Sequence, residues 1–517
     1  MNLADILKKI EIKEIIGDSN IEIDNLTQDT REYFSEKTLY FAVPGTQVDG
    51  HDFIGQAIEK GSVVIVCERL PNNLDSRLKQ SFSVNEKPLH GSDKVKRSDS
   101  EVVFVVVDSV SKKMGQMVSN FYGNPSEKLQ IIAITGTNGK TTIATILYQS
   151  LLNLGKKTAL FSTAGDFING VEIETQKKAS SSMEIIEFQK SLKQAVDSGC
   201  EYVCIEATSH ALDQNRLNGT KIVGAIYTNL TQDHLDYHEN FDDYAQAKQK
   251  LFSLLNIDSF ALINIDDKYA AMMIEKTKAK IITYGDVDFK NPISRDILFK
   301  IENFGISGTK VLLDGNNAQV KFVGKFNMYN ILSVYGALIE LGFNIEEILK
   351  TLSDIDGARG RMEIVTGSRE GVVGIVDYAH TSDALENVLK TLNELPHNKI
   401  ITVVGAGGDR DSGKRPQMAQ ITQNNSDYTI LTADNPRTED LVQILNDMLA
   451  GCDSDKDNFE IISDRELAIK KAVDISTAGD IILVAGKGHE DYQIIGTTKH
   501  HFDDVEVLER YLKLKKQ

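Results

Sequence analysis

The sequence predicts a three-domain α/β protein. A central P-loop-type domain is built on a mostly parallel sheet, a smaller mixed domain precedes it, and a Rossmann-like domain closes the chain. Three observations lead there. The 517 residues exceed what one hydrophobic core accommodates. From about residue 112 onward, apolar runs of strand length alternate with amphipathic helical stretches. One such run, 131–134, leads into Thr135-Gly136-Thr137-Asn138-Gly139-Lys140-Thr141-Thr142, and helical apolar spacing follows over 143–154.

Taken in order, residues 1–110 mix short strands and helices and form the first domain. Within it, 73–101 is polar, charged and poor in large apolar groups, the composition of a surface excursion or disordered loop. Residues 111–356 form the central domain, with strands expected at 131–134, 159–161, 202–205, 225–227 and 261–263. Residues 357–517 form the third, with strands at 374–376, 400–404, 428–431 and 481–484, each ending in a glycine- or acid-rich turn. Ligands of open parallel sheets bind at the carboxyl ends of strands, so function is expected in these turns.

The net charge of −18 argues against nucleic acid as a partner, because no broad basic surface is available to meet a phosphate backbone. An anionic ligand must then be held by local Arg and Lys residues or by metal. Cys67, Cys200, Cys204 and Cys452 show no paired metal-ligand spacing, the usage of a reducing compartment, and core packing is the expectation for Cys200 and Cys204. No apolar run reaches membrane-spanning length and the first residues carry no signal-peptide pattern, so a soluble, cytoplasmic protein, taken as a monomer, is expected.

The glycine loop is the strongest chemical signal. Backbone N–H groups and the helix N-terminus face an anion, Lys140 adds a point charge, and a hydroxyl of Thr141 or Thr142 can hold Mg²⁺. Its spacing, G-x-x-G-K-T, is two residues shorter between the glycines than the common P-loop, and a short match of this kind also arises by chance. With a strand before it and a helix after it, Gly136 to Thr142 reads as an ATP site. Glu206, ending the 202–205 run, stands where a Mg²⁺ ligand belongs, though a solvated strand-end carboxylate looks the same. Asp233, His234, Asp236 and His238 crowd the turn after the next strand, where a capped polar turn is the plainer reading. Lys248, alone, reads as a solvent lysine on an amphipathic helix.

Together, T-G-T-N-G-K-T-T, E-A-T-S-H-A-L, T-N-L-T-Q-D-H-L-D-Y-H and Y-A-Q-A-K-Q-K-L-F, in this order and spacing, resemble the ATP-dependent Mur ligases. The resemblance covers essentially the whole chain. It includes Asp29-Thr30-Arg31 and 39–51 in a uridine-binding first domain, and Gly324-Lys325-Phe326-Asn327-Met328-Tyr329-Asn330 in the centre. In the third domain it rests on Gly360-Arg361-Met362-Glu363, Asp377-Tyr378-Ala379-His380, 407–416, Asp434-Asn435-Pro436-Arg437 and Gly486-Lys487-Gly488-His489-Glu490. The resemblance implies that Lys140, Thr141 and Thr142 hold ATP phosphates and Mg²⁺ with Glu206, that His234 helps a second Mg²⁺, and that Lys248 is carboxylated by CO₂. It further implies nucleotide contacts for Asn327, Asn330, Arg361, Asp377 and His380, muramoyl-dipeptide contacts for Thr208, Gln214 and Arg216, and a substrate contact for Thr30 in the uridine-binding domain. Ser181 and Ser182 stand where the family has Thr-Thr-Pro, keeping hydroxyls and losing methyls and the rigid proline.

What the resemblance implies is ATP-driven ligation through an acyl phosphate in peptidoglycan precursor synthesis, on which cell wall, shape and division depend. The acceptor is UDP-N-acetylmuramoyl-L-alanyl-D-glutamate. For the incoming amino acid, charge favours meso-diaminopimelate over lysine. Arg410 and Arg437 offer bidentate pairing to its distal carboxylate, and Asp434 and Glu490 receive its ammonium beside Asn435 and Gly486. A lysine substrate would meet those arginines uncompensated. A folylpolyglutamate synthetase or a D-alanyl-D-alanine-adding ligase fits the first domain or the D-N-P-R segment less well. A regulatory protein without turnover would not need all of Lys140, Glu206, His234 and Lys248, and a mechanical ATPase would need a basic polymer-binding surface.

Overall fold

Strands form where β-branched and aliphatic residues run together, and nearly every one is closed by a glycine or a polar cap. The computed structural model describes residues 1–45, 48–71, 102–175, 183–231, 233, 237–289, 294–306, 308–365, 367 and 371–514. The 73–101 excursion and the positions of Ser181, Ser182 and His234 lie outside the described residues.

The chain divides into two compact units. The first comprises Met1–Ile131, Glu174–Glu201 and His210–Ile222. Its five-stranded sheet has the order β1-β5-β4-β3-β2, from β1 (Glu14–Ile16), β2 (Asn25–Thr27), β3 (Thr38–Phe41), β4 (Ser62–Cys67) and β5 (Val103–Val106). β2 to β5 run parallel and β1 antiparallel. Alternation along β3 to β5 sends Leu39, Phe41, Val64, Val66, Val103 and Val105 into one core, which the helix Val110–Phe121 covers with Met114, Met117 and Val118 and to which Ile185 adds. Tyr40, Ile65 and Phe104 point the other way, onto Ile54 and Ala57.

The second unit comprises Ile132–Ile173, Tyr202–Ser209 and Val223–Gln517. It holds most of an eleven-stranded sheet built from β6 (Gln130–Thr135), β7 (Thr158–Ser162), β8 (Gly165–Ile168), β9 (Val171–Glu172), β10 (Tyr202–Glu206), β11 (Gly224–Tyr227), β12 (Phe260–Asn264), β13 (Lys280–Asp286), β14 (Ile297–Gly305), β15 (Gly308–Leu313) and β16 (Asn316–Val320). Their order is β16-β15-β14-β13-β12-β11-β6-β10-β7-β8-β9. The middle of this sheet is parallel, from β6 through β11, β12 and β13 to β14, with β10 parallel to β7. Both ends are antiparallel extensions that the sequence reading did not place, β8–β9 on one side and β15–β16 on the other. Each closes on a tight turn with two left-handed residues, Asn169-Gly170 and Asp314-Gly315. The helices Lys140–Asn153 and Lys325–Glu340 pack onto the sheet through Ile143, Leu147, Met328, Ile331 and Tyr335.

A six-stranded sheet follows, from β17 (Glu363–Val365), β18 (Val373–Asp377), β19 (Ile400–Ala406), β20 (Tyr428–Ala433), β21 (Phe459–Ile461) and β22 (Ile481–Ala485), in the order β17-β18-β22-β19-β20-β21. β18, β22, β19, β20 and β21 are parallel. Helices on both faces bury Leu385, Leu389 and Met418 on one side and Ala468, Ile469 and Leu508 on the other. Five apolar runs in the centre and four here became strands within two residues of their expected bounds. No described helix is long and apolar enough to cross a membrane. Cys67, Cys200 and Cys204 are buried, and all four cysteines are unpaired thiols.

Candidate active site

The phosphate loop is held by its neighbour strand. β6 ends at Thr135, the chain turns through Gly136 (φ 148°) and Gly139 (φ 89°), and the helix begins at Lys140. A Cβ on Gly136 would lie 1.8 Å from Thr228 Oγ1, and one on Gly139 2.6 Å from Asn330 Oδ1, so neither position admits a side chain. The segment after β11 pins the loop: Thr137 N donates to Asn229 O (2.9 Å), Asn138 N to Asn229 Oδ1 (2.9 Å), and Thr228 Oγ1 to Asn138 O (2.6 Å). Thr137 Oγ1 also lies 3.0 Å from Tyr244 OH.

Two lysines converge on one carbonyl. Lys140 Nζ donates to Gly136 O (2.9 Å) and Thr137 O (2.7 Å), and Lys248 Nζ to the same Gly136 O (2.8 Å). Lys248 is not a solvent lysine: its side chain, from the helix Phe241–Ser253, is 1% exposed and its Nζ sits 4.5 Å over the Tyr244 ring. Burial first, then the charge of Lys140, lowers its pKa well below the usual lysine range, with Asp233 opposing. Burial also lowers that of Lys140, against the pull of Glu206 and Asp233.

Glu206 ends β10 and is buried. It accepts from Thr163 N (3.2 Å) and Thr163 Oγ1 (3.3 Å), and Thr163 Oγ1 lies 3.1 Å from Thr141 Oγ1. This gathers one carboxylate and two hydroxyls of hard-oxygen character. Among the described residues no three His, Cys, Asp or Glu side chains form a ready metal site. Such a sparse oxygen set fits Mg²⁺, which binds through one or two carboxylates, water and substrate phosphate. Asn327 and Asn330 sit at the start of the helix Lys325–Glu340, where Asn330 Nδ2 donates to Asn327 Oδ1 (3.1 Å).

The six-stranded sheet contributes from its carboxyl edge. Arg361 Nη2 donates to Thr141 Oγ1 (3.1 Å), its guanidinium stacks 4.3 Å over the Tyr378 ring, and its buried Nε has no partner among the described residues. An unpaired guanidinium N–H beside the phosphate loop suits an anionic oxygen. Asp377 accepts from Met362 N and Ala379 N (both 2.7 Å), fixing the turn that carries Arg361, and burial raises its pKa. Burial and Lys414 hold the His380 pKa down at about 4, so its ring is neutral at physiological pH. Two groups, Thr163 and Asp383, went unnoticed in the sequence, and a third, His489, was read only as part of a motif. Thr163 links Thr141 to Glu206, Asp383 accepts from Asn138 Nδ2 (2.9 Å) and Thr231 Oγ1 (3.3 Å), and His489 Nε2 lies 3.1 Å from Thr163 O. Their partners are 22 to 326 residues distant, so no local pattern marks them.

Further along the same edge lie the turns after β20 and β22. Asp434 Oδ1 accepts from Asn435 N (2.6 Å), and Asn435 Nδ2 donates to Glu490 Oε2 (2.7 Å). Arg437 adopts φ 52° and donates through Nη1 to Gly408 O (2.7 Å). Gly486 (φ 115°) leaves its space to Asp434, whose Oδ2 a Cβ would approach to 2.8 Å. Arg410 is exposed on the 407–410 turn, which the buried Arg415 supports through Glu439 (2.7 Å) and Gly407 O (3.2 Å). Beneath both turns Arg465 pairs with Asp504 (2.7 Å) and donates to Ala433 O (3.2 Å) and Ala485 O (3.0 Å), the last residues of β20 and β22.

In the first unit Thr30 Oγ1 donates to Gln56 Oε1 (2.8 Å), and Lys60 Nζ to Thr30 O (2.5 Å). Arg216, 5% exposed, donates to Gln214 Oε1 (2.5 Å) and pairs with Glu184 (3.0 Å). Thr208 lies in the second unit, just past β10.

Comparison with known proteins gives one family along the whole chain. Residues 23–122 match the model described as Mur ligase family, catalytic domain, residues 134–338 the Mur ligase middle domain, and residues 360–488 the Mur ligase, glutamate ligase domain. A UDP-N-acetylmuramoyl-L-alanyl-D-glutamate–2,6-diaminopimelate ligase of Parabacteroides distasonis is 43% identical over 514 residues, 98% of each chain. The enzyme of that name in Clostridioides difficile is 39% identical over 98% of each chain. A solved diaminopimelate ligase of the same description superposes with a TM-score of 0.67 at 30% identity, covering 99% of this chain and 98% of that one. A MurF ligase of Thermotoga maritima in complex with ADP shares the fold, with a TM-score of 0.58 at 16% identity over 94% and 96% of the two chains.

Proposed function

We propose that this chain, which belongs to the Mur ligase family, uses ATP to join meso-diaminopimelate to UDP-N-acetylmuramoyl-L-alanyl-D-glutamate in the cytoplasm, releasing ADP and phosphate. The observation that carries this reading is the full-length identity to diaminopimelate ligases, joined to a strand-edge cluster of Asp434, Asn435, Arg437, Gly486 and Glu490. It makes the enzyme an ADP-forming amide ligase of peptidoglycan precursor synthesis.

The free carboxylate of the dipeptide attacks the γ-phosphorus of ATP, the bond to ADP breaks, and an acyl phosphate forms. The α-amine of diaminopimelate then attacks the acyl carbon, phosphate leaves with the C–O electron pair, and the amine proton is lost. Two anions meet in the first step, so positive charge is needed at the phosphates. The N–H groups at the helix start, Gly139 to Thr142, receive them, Lys140 lies over the loop, and Arg361 brings its unpaired Nε. Mg²⁺, when bound, neutralises phosphate charge, and Thr141, Thr142 and Glu206, with His234 and a carboxylated Lys248, are the residues that would hold it. Arg437 and Arg410 pair with the distal carboxylate of diaminopimelate, while Asp434 and Glu490 take its ammonium. Thr30, Ser181, Ser182, Thr208, Gln214 and Arg216 are assigned to the UDP-muramoyl dipeptide.

The environment of Lys248 favours a modification. A lysine this buried favours the neutral amine. A neutral amine adds to CO₂, forming a C–N bond and releasing one proton, and the resulting carbamate is an oxygen ligand in reach of the loop. The test of the whole reading is phosphate release with ATP, Mg²⁺ and the UDP-muramoyl dipeptide, adding meso-diaminopimelate or L-lysine. Release with diaminopimelate and not lysine, with the tripeptide found by mass, is the expected result. A preference for lysine would overturn the assignment of Arg437 and Arg410, and no release with either would overturn the ligase reading.

A further inference from the structure

We infer that Lys487 is a positioning residue for the amino-acid substrate: it holds Glu490 as an oriented carboxylate, so that Asp434 and Glu490 each present one oxygen to a ligand ammonium. Lysine is almost never fully buried without a job for its charge, yet Lys487, two residues past β22, is 0% exposed. Its Nζ donates to Tyr492 O and lies 3.3 Å from Glu490 Oε2 and 3.4 Å from Asn435 Oδ1. Asn435 Nδ2 takes the same Glu490 Oε2, and Asn435 N takes Asp434 Oδ1. That leaves Glu490 Oε1 and Asp434 Oδ2 without a protein hydrogen bond among the described residues. Gly486 supplies no side chain to cover the second of them.

Charge arithmetic points the same way. Two carboxylates and one ammonium leave one negative charge, the complement of one ammonium from the ligand. Burial and the neighbouring Asp434 push the Glu490 pKa up, and Lys487 and Asn435 pull it back. The other charged or titratable groups acting here are Arg465 from beneath, Arg437 and Asp491 at the rim, and the Tyr378 and Tyr492 hydroxyls. Remove Lys487 and the Glu490 pKa moves further up, because burial and Asp434 then act against Asn435 alone, and the carboxylate is weakened as an acceptor.

This inference rests on the diaminopimelate reading, and its test separates the two. Compare kcat/KM for diaminopimelate and for 2-aminopimelate, which lacks the distal amine, from about pH 6 to about pH 9, in the natural enzyme and in Lys487→Met. With Lys487→Met, diaminopimelate use falls at least about tenfold at neutral pH, and the deficit shrinks as the pH rises, because the raised Glu490 pKa weakens the carboxylate most at the acid end. Use of 2-aminopimelate and the KM for ATP change less than about threefold, and Lys487→Arg restores most of the neutral-pH activity. A loss equal at every pH, or equal for both amino acids, would overturn the role of Lys487 while leaving the ligase reading intact. Natural enzyme that ignores diaminopimelate would overturn both. If Lys487→Met does not fold, Lys487→Gln, which keeps most of the volume and a donor, is measured the same way.

Discussion

Gly136 and Lys248 show what single residues contribute to the site, and each makes a testable claim. With Thr228 Oγ1 1.8 Å from where a Cβ would stand and φ at 148°, Gly136→Ala must displace the loop. We expect it to destabilise the protein by on the order of 2–4 kcal/mol and to raise the KM for ATP well beyond the change at any peripheral site, measured by urea unfolding and steady-state kinetics. Lys248 is the opposite case, a residue that weakens the fold. Between its lowered folded pKa and the ordinary value of 10.5, the unfolded chain binds a proton that the folded chain does not, so stability falls as the pH falls through that window. Lys248→Met leaves Gly136 O still bonded by Lys140. In bicarbonate-free buffer it should melt no lower than the natural protein, with its advantage growing toward acid pH, while ligation is lost. Undiminished turnover would remove Lys248 from the mechanism. The loop glycines and Lys140 were readable because their meaning is local, fixed within eight residues. Lys248 drew attention only through family resemblance, and Lys487 was read merely as part of a motif, because burial is a property of what folds over a residue.

At the scale of elements, the carboxyl edge of the six-stranded sheet depends on two buried guanidinium groups. Arg465 ties the ends of β20 and β22 to Asp504, both partners fully buried. Arg465→Met strands Asp504 and should cost about 3–5 kcal/mol, and replacing both partners by apolar residues should recover much of it, read by denaturant midpoints. Arg415 plays the same part for the 407–410 turn, and together with Asp409 N it holds the Glu439 pKa down at about 2. Glu439 thus adds stability that is complete above its ordinary value of 4.5 and is lost as the pH falls toward 2. Glu439→Gln should be less stable by on the order of 1–2 kcal/mol at neutral pH, with the difference closing under acid. The strands themselves were legible, since continuous apolar runs bounded by glycine and acid are what buried parallel strands look like. The antiparallel extensions were missed although Asn169-Gly170 and Asp314-Gly315 announce them. Their strands, such as Asn316–Val320, are too polar to stand out as apolar runs.

For the molecule as a whole, the length and the change of pattern along the chain led to three domains, and three family segments are matched, at 23–122, 134–338 and 360–488. The discontinuity of the first unit was not legible in the sequence. Its core takes Ile185 from a segment that begins at Glu174, well beyond the phosphate loop, and Gly115 packs so tightly on Asn218 O that a Cβ would stand 2.1 Å away. A fragment ending at Ile131 lacks both partners and should show no cooperative melt, whereas the full chain should melt cooperatively by calorimetry.

That discontinuity also has a meaning in time. During synthesis the sheet of the first unit leaves the ribosome long before Ile222, the last residue of the segments that complete it. At about 5–20 residues per second, the roughly 90 residues between Ile131 and Ile222 take about 5–18 s to be made. Throughout that interval the apolar flank of the helix Val110–Phe121 waits for the segment that will cover it, and it is then that a nascent chain of this architecture most needs a chaperone.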